Sequence, residues 1–98
     1  MTINKKAQGE ALELSLIGRL DTTTAPQLET ELKRSIDGVT ELTLNCAELE
    51  YLSSAGLRVL LAAQKVMNKQ GKMVVKNVNE TIMEVFEITG FADILTIE

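Results

Sequence analysis

Apolar residues cover more than half the circumference of the helix predicted from about Ala55 to Asn68. They are Leu57, Val59, Leu60, Leu61, Ala62, Ala63, Val66 and Met67, and Arg58, Lys65 and Lys69 mark a narrow wet stripe. A helix this apolar has to lie against a sheet that covers it. The remaining segments must therefore supply that sheet.

Several segments do. Residues 11–17 alternate strictly, with Leu12, Leu14 and Leu16 on one face, the period of a strand with one buried side. Residues 41–46 alternate in the same way, and residues 72–77 and 94–97 predict two shorter strands. Residues 2–7 read as an edge strand, closed by a turn at Gln8-Gly9-Glu10. A first helix opens at Thr24-Ala25-Pro26-Gln27, where Thr24 and Gln27 match a capping box and Pro26 suits the first turn. Leu28, Leu32 and Ile36 line its buried face, and Asp37-Gly38 ends it with glycine as the left-handed residue. A third helix starts from the cap Asn79, buries Ile82, Val85 and Phe86, and stops at Gly90.

The order β-β-α-β-α-β-α-β implies right-handed crossovers and an α/β fold with a mixed, mostly parallel sheet. One domain over residues 1–98 is expected, since 98 residues leave no room for a second core. With Tyr51, Phe86 and Phe91 the only aromatic residues, that core must be aliphatic.

Composition removes several function classes. A net charge of −4 speaks against nucleic acid or an anionic membrane as partner. No apolar run approaches the roughly 18 residues of a membrane span, and residues 1–7 hold no hydrophobic signal core. The single cysteine, Cys46, has no internal disulfide partner, so a reducing, cytoplasmic setting is expected. Histidine is absent, which removes Ser-His-Asp and Cys-His nucleophile systems and most zinc sites. Neither a P-loop nor a G-x-G-x-x-G run is present. No catalytic residue, cofactor or metal is therefore expected.

What remains is Ser53-Ser54-Ala55-Gly56, set immediately before the apolar helix. A hydroxyl there satisfies the free N–H groups that open a helix. The same N–H groups, with the helix dipole behind them, also favour a phosphate. One of these serines is thus either a silent cap or a phosphorylation switch. Asp21, after the second strand and before the first helix, reads as a turn residue or as part of a functional rim, because groups gather where strands end and helices begin. Arg58 is a solvated stripe residue or a phosphate contact one turn beyond Ser54. Cys46 reads as a small core residue, and Glu48 and Glu50 as solvated loop charges.

The stretch Tyr51-Leu52-Ser53-Ser54-Ala55-Gly56-Leu57-Arg58-Val59-Leu60-Leu61 resembles the signature of STAS domains, most of all the stand-alone anti-sigma factor antagonists of bacteria. Gly18-Arg19-Leu20-Asp21, followed by Thr24-Ala25-Pro26, resembles the family's first strand-to-helix segment. The likeness covers almost the whole chain, and the order of elements is the family's. It implies a regulatory module with no catalysis of its own, switched by phosphorylation of one serine, here Ser54. Unphosphorylated, such a protein binds an anti-sigma factor that is also a serine kinase of the GHKL type. The kinase inactivates it at Ser54, and a PP2C-type phosphatase restores it. The implied partner surface is Asp21, Ser53, Ser54, Gly56 and Arg58. Two departures stand out. Ser53 occupies a position where many members carry aspartate, and the final helix that many members add after the fifth strand is missing, which implies a more open face or edge. An alternative within the family is a non-switching STAS subunit of an ABC-type lipid transport complex, in which the serines are caps alone.

Overall fold

The computed structural model describes residues 1–98. Strand β1 (Thr2–Gln8) runs antiparallel to β2 (Ala11–Leu20), with Thr2 opposite Ile17 and Gln8 opposite Ala11. Helix α1 (Ala25–Ser35) then leads to β3 (Glu41–Leu52), parallel to β2, and helix α2 (Ser54–Gln70) to β4 (Lys72–Lys76), parallel to β3. Helix α3 (Glu80–Thr89) and a short 3-10 turn (Phe91–Asp93) complete the chain. The spatial order of the strands is β1-β2-β3-β4.

From β2 to β4 that order never reverses, so right-handed crossovers carry α1 and α2 over the same face of the sheet. Ile82 and Phe86 of α3 join the same core. The alternation in the sequence now has its cause. Leu12, Leu14, Leu16 and Leu20 of β2 and Leu42, Leu44 and Cys46 of β3 are buried beneath the helices. The intervening Glu13, Ser15, Thr43 and Asn45 remain half-exposed on the other face. Phe86 is the one aromatic ring in an otherwise aliphatic interior.

The elements depart from the sequence-based expectation in their extents and exposure at several places. Strand β3 continues six residues past Cys46, so Glu48 and Glu50 are exposed strand residues, not loop charges. The helix expected from about Ala55 to Asn68 runs from Ser54 to Gln70. Its wet stripe is wider than the charges alone indicated, because Ala62 and Val66 face outward as well. The strand expected at residues 94–97 is reduced to one bridge, Ile97 to Val75. The N–H groups of Ile94 and Leu95 turn back to the carbonyl of Phe91, at 3.0 and 2.8 Å, and are lost to any ladder. Leu95 is meanwhile drawn into the core.

Helix α2 passes into β4 through Gly71 alone. A Cβ on Gly71 would be driven into the backbone of Thr40, so the chain turns there without a side chain. The N–H of Lys72 donates to the Thr40 carbonyl at 2.9 Å. That contact sets β4 beside β3.

Candidate functional site

Because β2 and β3 are parallel neighbours, their C-terminal ends lie side by side, and so do the loops that open α1 and α2. Two register shifts, between Ser15 and Ile17 and between Gly18 and Arg19, give β3 extra residues there, and such bulges bend a strand and re-aim its end. The two loops are then joined directly. The N–H of Ser53 donates to the carbonyl of Leu20 at 2.9 Å. Asp21, next in the chain after Leu20, and the serine pair thus share one rim.

The two serines have different environments. Ser53 has extended backbone (φ −99°, ψ 173°) and caps α2, its hydroxyl accepting from the Gly56 N–H at 3.4 Å. Ser54 is the first residue of the helix and is exposed. Its hydroxyl has no partner within the protein, and the Ser54 and Ala55 N–H groups belong to the first turn, where no intrahelical acceptor exists. Arg58, one turn on, stands on the same helix face, is exposed and forms no ion pair.

Asp21 is held in place by the threonines that follow it. Its Oδ1 accepts from the Thr23 hydroxyl at 2.7 Å, the Thr23 N–H at 3.0 Å and the Thr24 N–H at 3.1 Å. The Thr23 hydroxyl above all keeps the Asp21 carboxyl below its ordinary pKa, with the Thr24 and Thr23 N–H groups adding to the effect and desolvation opposing it. Asp21 is therefore an anion at neutral pH. The capping box expected from Thr24 and Gln27 does not form. The Thr24 hydroxyl instead donates to the Arg19 carbonyl at 2.7 Å and accepts from the Asp21 N–H at 2.8 Å. The turn before α1 is organised backwards, towards β2.

Between the starts of the two helices lies an open groove of about 250 Å³, bordered by Thr22, Pro26, Glu29, Ala55, Arg58 and Val59. Of the five residues expected at a partner surface, Arg58 borders this groove, and Asp21, Ser53 and Ser54 lie on the rim joined by the hydrogen bond from Ser53 to Leu20. Gly56 does not reach the surface; it is buried against Leu20 and Leu52, and its part is to let α2 sit close to the strand ends. Two residues of the rim were not anticipated. Arg19 and Tyr51 pair across β2 and β3, with the guanidinium 4.1 Å from the ring centre. Nothing in either local stretch signals this pair, because it depends on the bulged register.

Cys46 is buried in the core, and desolvation pushes its thiol up to about 12. It is no nucleophile at neutral pH. No group of three or more His, Cys, Asp or Glu residues is placed to hold a metal, and no helix is long and apolar enough to cross a membrane. The arrangement offers an exposed hydroxyl at Ser54, a carboxylate fixed by hydrogen bonds at Asp21 and an unpaired guanidinium at Arg58.

The STAS domain family profile matches residues 2–98. This chain belongs to the STAS domain family. BtrV of Bordetella bronchiseptica is 40% identical to this STAS domain over 84 residues, 84% of this chain and 72% of that protein. The anti-sigma-B factor antagonist of Staphylococcus aureus is 30% identical over 97 residues, 97% of this chain and 90% of that one. The fold is also that of the Bacillus anti-sigma factor antagonist SpoIIAA. Its unphosphorylated form superimposes with a TM-score of 0.78 at 20% identity, covering 99% of this chain and 87% of the other. Its phosphorylated form does so with a TM-score of 0.77 at 20% identity, covering 99% and 91%.

Proposed function

We propose that this STAS domain is an anti-sigma factor antagonist whose binding to an anti-sigma factor serine kinase of the GHKL type is switched by phosphate on Ser54. The observation that carries the reading is the division between the serines: Ser53 is consumed as the helix cap, while Ser54 is exposed and unpartnered. A non-switching subunit of an ABC-type lipid transporter needs the serines only as caps, and Ser53 alone fills that need. SpoIIAA, which has the same fold, occurs in phosphorylated and unphosphorylated forms.

The chemistry is a phosphoryl transfer in which the partner supplies the catalysis. The Ser54 oxygen attacks the γ-phosphorus of ATP, the bond to the β-phosphate oxygen breaks, ADP leaves, and the hydroxyl proton passes to the kinase's base or to water. The product carries about −1.5 to −2 charges on Ser54 at neutral pH. The free N–H groups of the first turn and Arg58 favour that charge locally, so the fold has no need to rearrange. The partner meets the charge differently. At a docked interface it must be desolvated beside the Asp21 carboxylate, a penalty of several kcal/mol, and each ~1.4 kcal/mol is a tenfold loss of affinity. Hydrolysis by a PP2C-type phosphatase returns the binding form. Such a cycle places the protein in the cytoplasm, where ATP is available.

Pull-down with the GHKL-type kinase encoded nearest the gene tests the reading. Ser54→Ala is expected to bind constitutively and take up no phosphate, and Ser54→Asp to bind poorly. Stoichiometric phosphorylation of Ser54→Ala, or recovery of an ABC ATPase and never a kinase, would contradict it.

A further inference from the structure

We propose that the stacked pair Arg19 and Tyr51 is the anchor that selects the partner docking beside Ser54, by receiving an Asp or Glu carboxylate of that partner on the outer edge of the Arg19 guanidinium. The proposal rests on the switch surface described above being the docking surface, and it names the residues that give that surface its specificity.

Three observations converge on the pair. The first is that Arg19 has side-chain contacts within the protein although it is exposed. Its guanidinium lies 4.1 Å from the centre of the Tyr51 ring, its Nε is 3.6 Å from Asp21 Oδ2, and its carbonyl accepts from the Thr24 hydroxyl at 2.7 Å. A guanidinium set between a ring and a carboxylate, on a backbone that is itself tied down, gives up less freedom when a partner binds it than an unsupported one. The second is what is left unused. The Nη groups have no acceptor within the protein, and the side chain is 59% exposed. Two N–H groups on one edge of a guanidinium match the two oxygens of a carboxylate.

The third is the ring itself. Tyr51 is 41% exposed, whereas Phe86 is buried and Phe91 half-buried. The neighbouring Leu49 and Leu52 already supply the burial that this end of β3 needs, so the core does not use Tyr51. Tyrosine and arginine together are the residue types that dominate binding hot spots. Their place is next to the switch. Tyr51 lies two residues before Ser53, and Arg19 adjoins Leu20, whose carbonyl takes the Ser53 N–H.

Charge sets the chemistry of the partner. The protein is acidic, with a net charge of −4, and Glu48 and Glu50 are exposed on the same strand as Tyr51. A basic partner surface would be drawn to this rim without discrimination. Arg19 adds a cation at one defined point, so a matching partner must present a carboxylate there, and one with lysine or arginine opposite Arg19 is repelled.

The test is the affinity of the purified full-length protein for the GHKL-type kinase encoded nearest its gene, measured at low and high salt. Arg19→Gln and Tyr51→Ala are each expected to weaken binding about tenfold at low salt. Tyr51→Phe should stay within about twofold, because the ring and not its hydroxyl supports the guanidinium. Arg19→Gln should also lessen the salt dependence of the affinity, which a purely structural defect would not do. Arg19→Lys keeps the charge, loses the fork, and should fall between wild type and Arg19→Gln. If all four variants bind within about twofold of wild type while Ser54→Asp binds poorly, the anchor is overturned and the switch stands. If Arg19→Gln and Tyr51→Ala weaken binding while Ser54→Asp binds like wild type, the anchor stands and the switch falls. Failure of the wild type to bind overturns both.

Discussion

Leu20 occupies the space that a side chain on Gly56 would need. A Cβ at Gly56 would stand 2.7 Å from Leu20 Cγ and 2.8 Å from Leu52 Cδ1. The strand ends of β2 and β3 and the first turn of α2 therefore meet without any side chain from the helix between them. This contact puts Ser54 and Asp21 on one rim.

Gly56→Ala sets two effects against each other. Alanine favours a helix over glycine by about 1 kcal/mol, but overpacking a filled core costs about 1 to 3 kcal/mol. Both obstructing atoms belong to buried leucines of the core, so the steric term should win. A net loss of about 1 kcal/mol in urea-induced unfolding is expected. Unchanged or raised stability would mean that Leu20 and Leu52 yield more easily than their burial implies.

The serines should separate in the same assay. Ser53→Ala removes the hydroxyl that accepts from Gly56 and should cost about 1 kcal/mol. Ser54→Ala removes an exposed hydroxyl with no partner and should stay within about 0.5 kcal/mol of wild type. Phosphate uptake should show the opposite pattern, retained in Ser53→Ala and lost in Ser54→Ala, which intact-mass measurement reads directly.

Acid should act through Asp21. Its pKa in the folded protein is lowered from 3.8, first by the Thr23 hydroxyl. Because the unfolded chain binds the proton more readily, the stabilisation is complete above the unfolded value and disappears as pH falls from 3.8 through the folded value. Asp21→Asn should therefore flatten the dependence of stability on pH in that acid range, with little change in its slope at neutral pH.

Cys46 behaves in the opposite sense. Its thiol is raised from 9.0 to about 12 by desolvation, so the fold favours the protonated form. That contribution is present below pH 9.0 and is lost as pH rises towards 12. In the native protein at neutral pH, Cys46 should resist a thiol-specific reagent and should react on unfolding.

Much of the fold was legible wherever local pattern and tertiary environment coincide. Leu12, Leu14 and Leu16 alternate because one face of β2 is covered and the other is wet, and Asp37-Gly38 ends α1 because Gly38 turns left-handed at φ +79°. Legibility failed where distant contacts decide. The end of β3 does not look like a strand because its bulges against β2 interrupt the period of two. Residues 94–97 do look like one, yet the Phe91 carbonyl takes two of their N–H groups. Thr24 and Gln27 have the spacing of a capping box, but Asp21 and the Arg19 carbonyl compete for the Thr24 groups and prevail. At the site, the serines, Asp21 and Arg58 were visible as residue types. Which serine is the cap, and that Gly56 is buried, depended on the packing of α2 against Leu20. The Arg19–Tyr51 pair depended on the register of two strands thirty residues apart in the chain.

The most direct measurement is the affinity of the GHKL-type kinase encoded nearest the gene for this protein with and without one phosphate, the modified residue being located by peptide mass spectrometry. Phosphate on Ser54 and binding at least about tenfold weaker than that of the unmodified protein are the predicted result. Phosphate on Ser53, or equal affinity for the two forms, would contradict it.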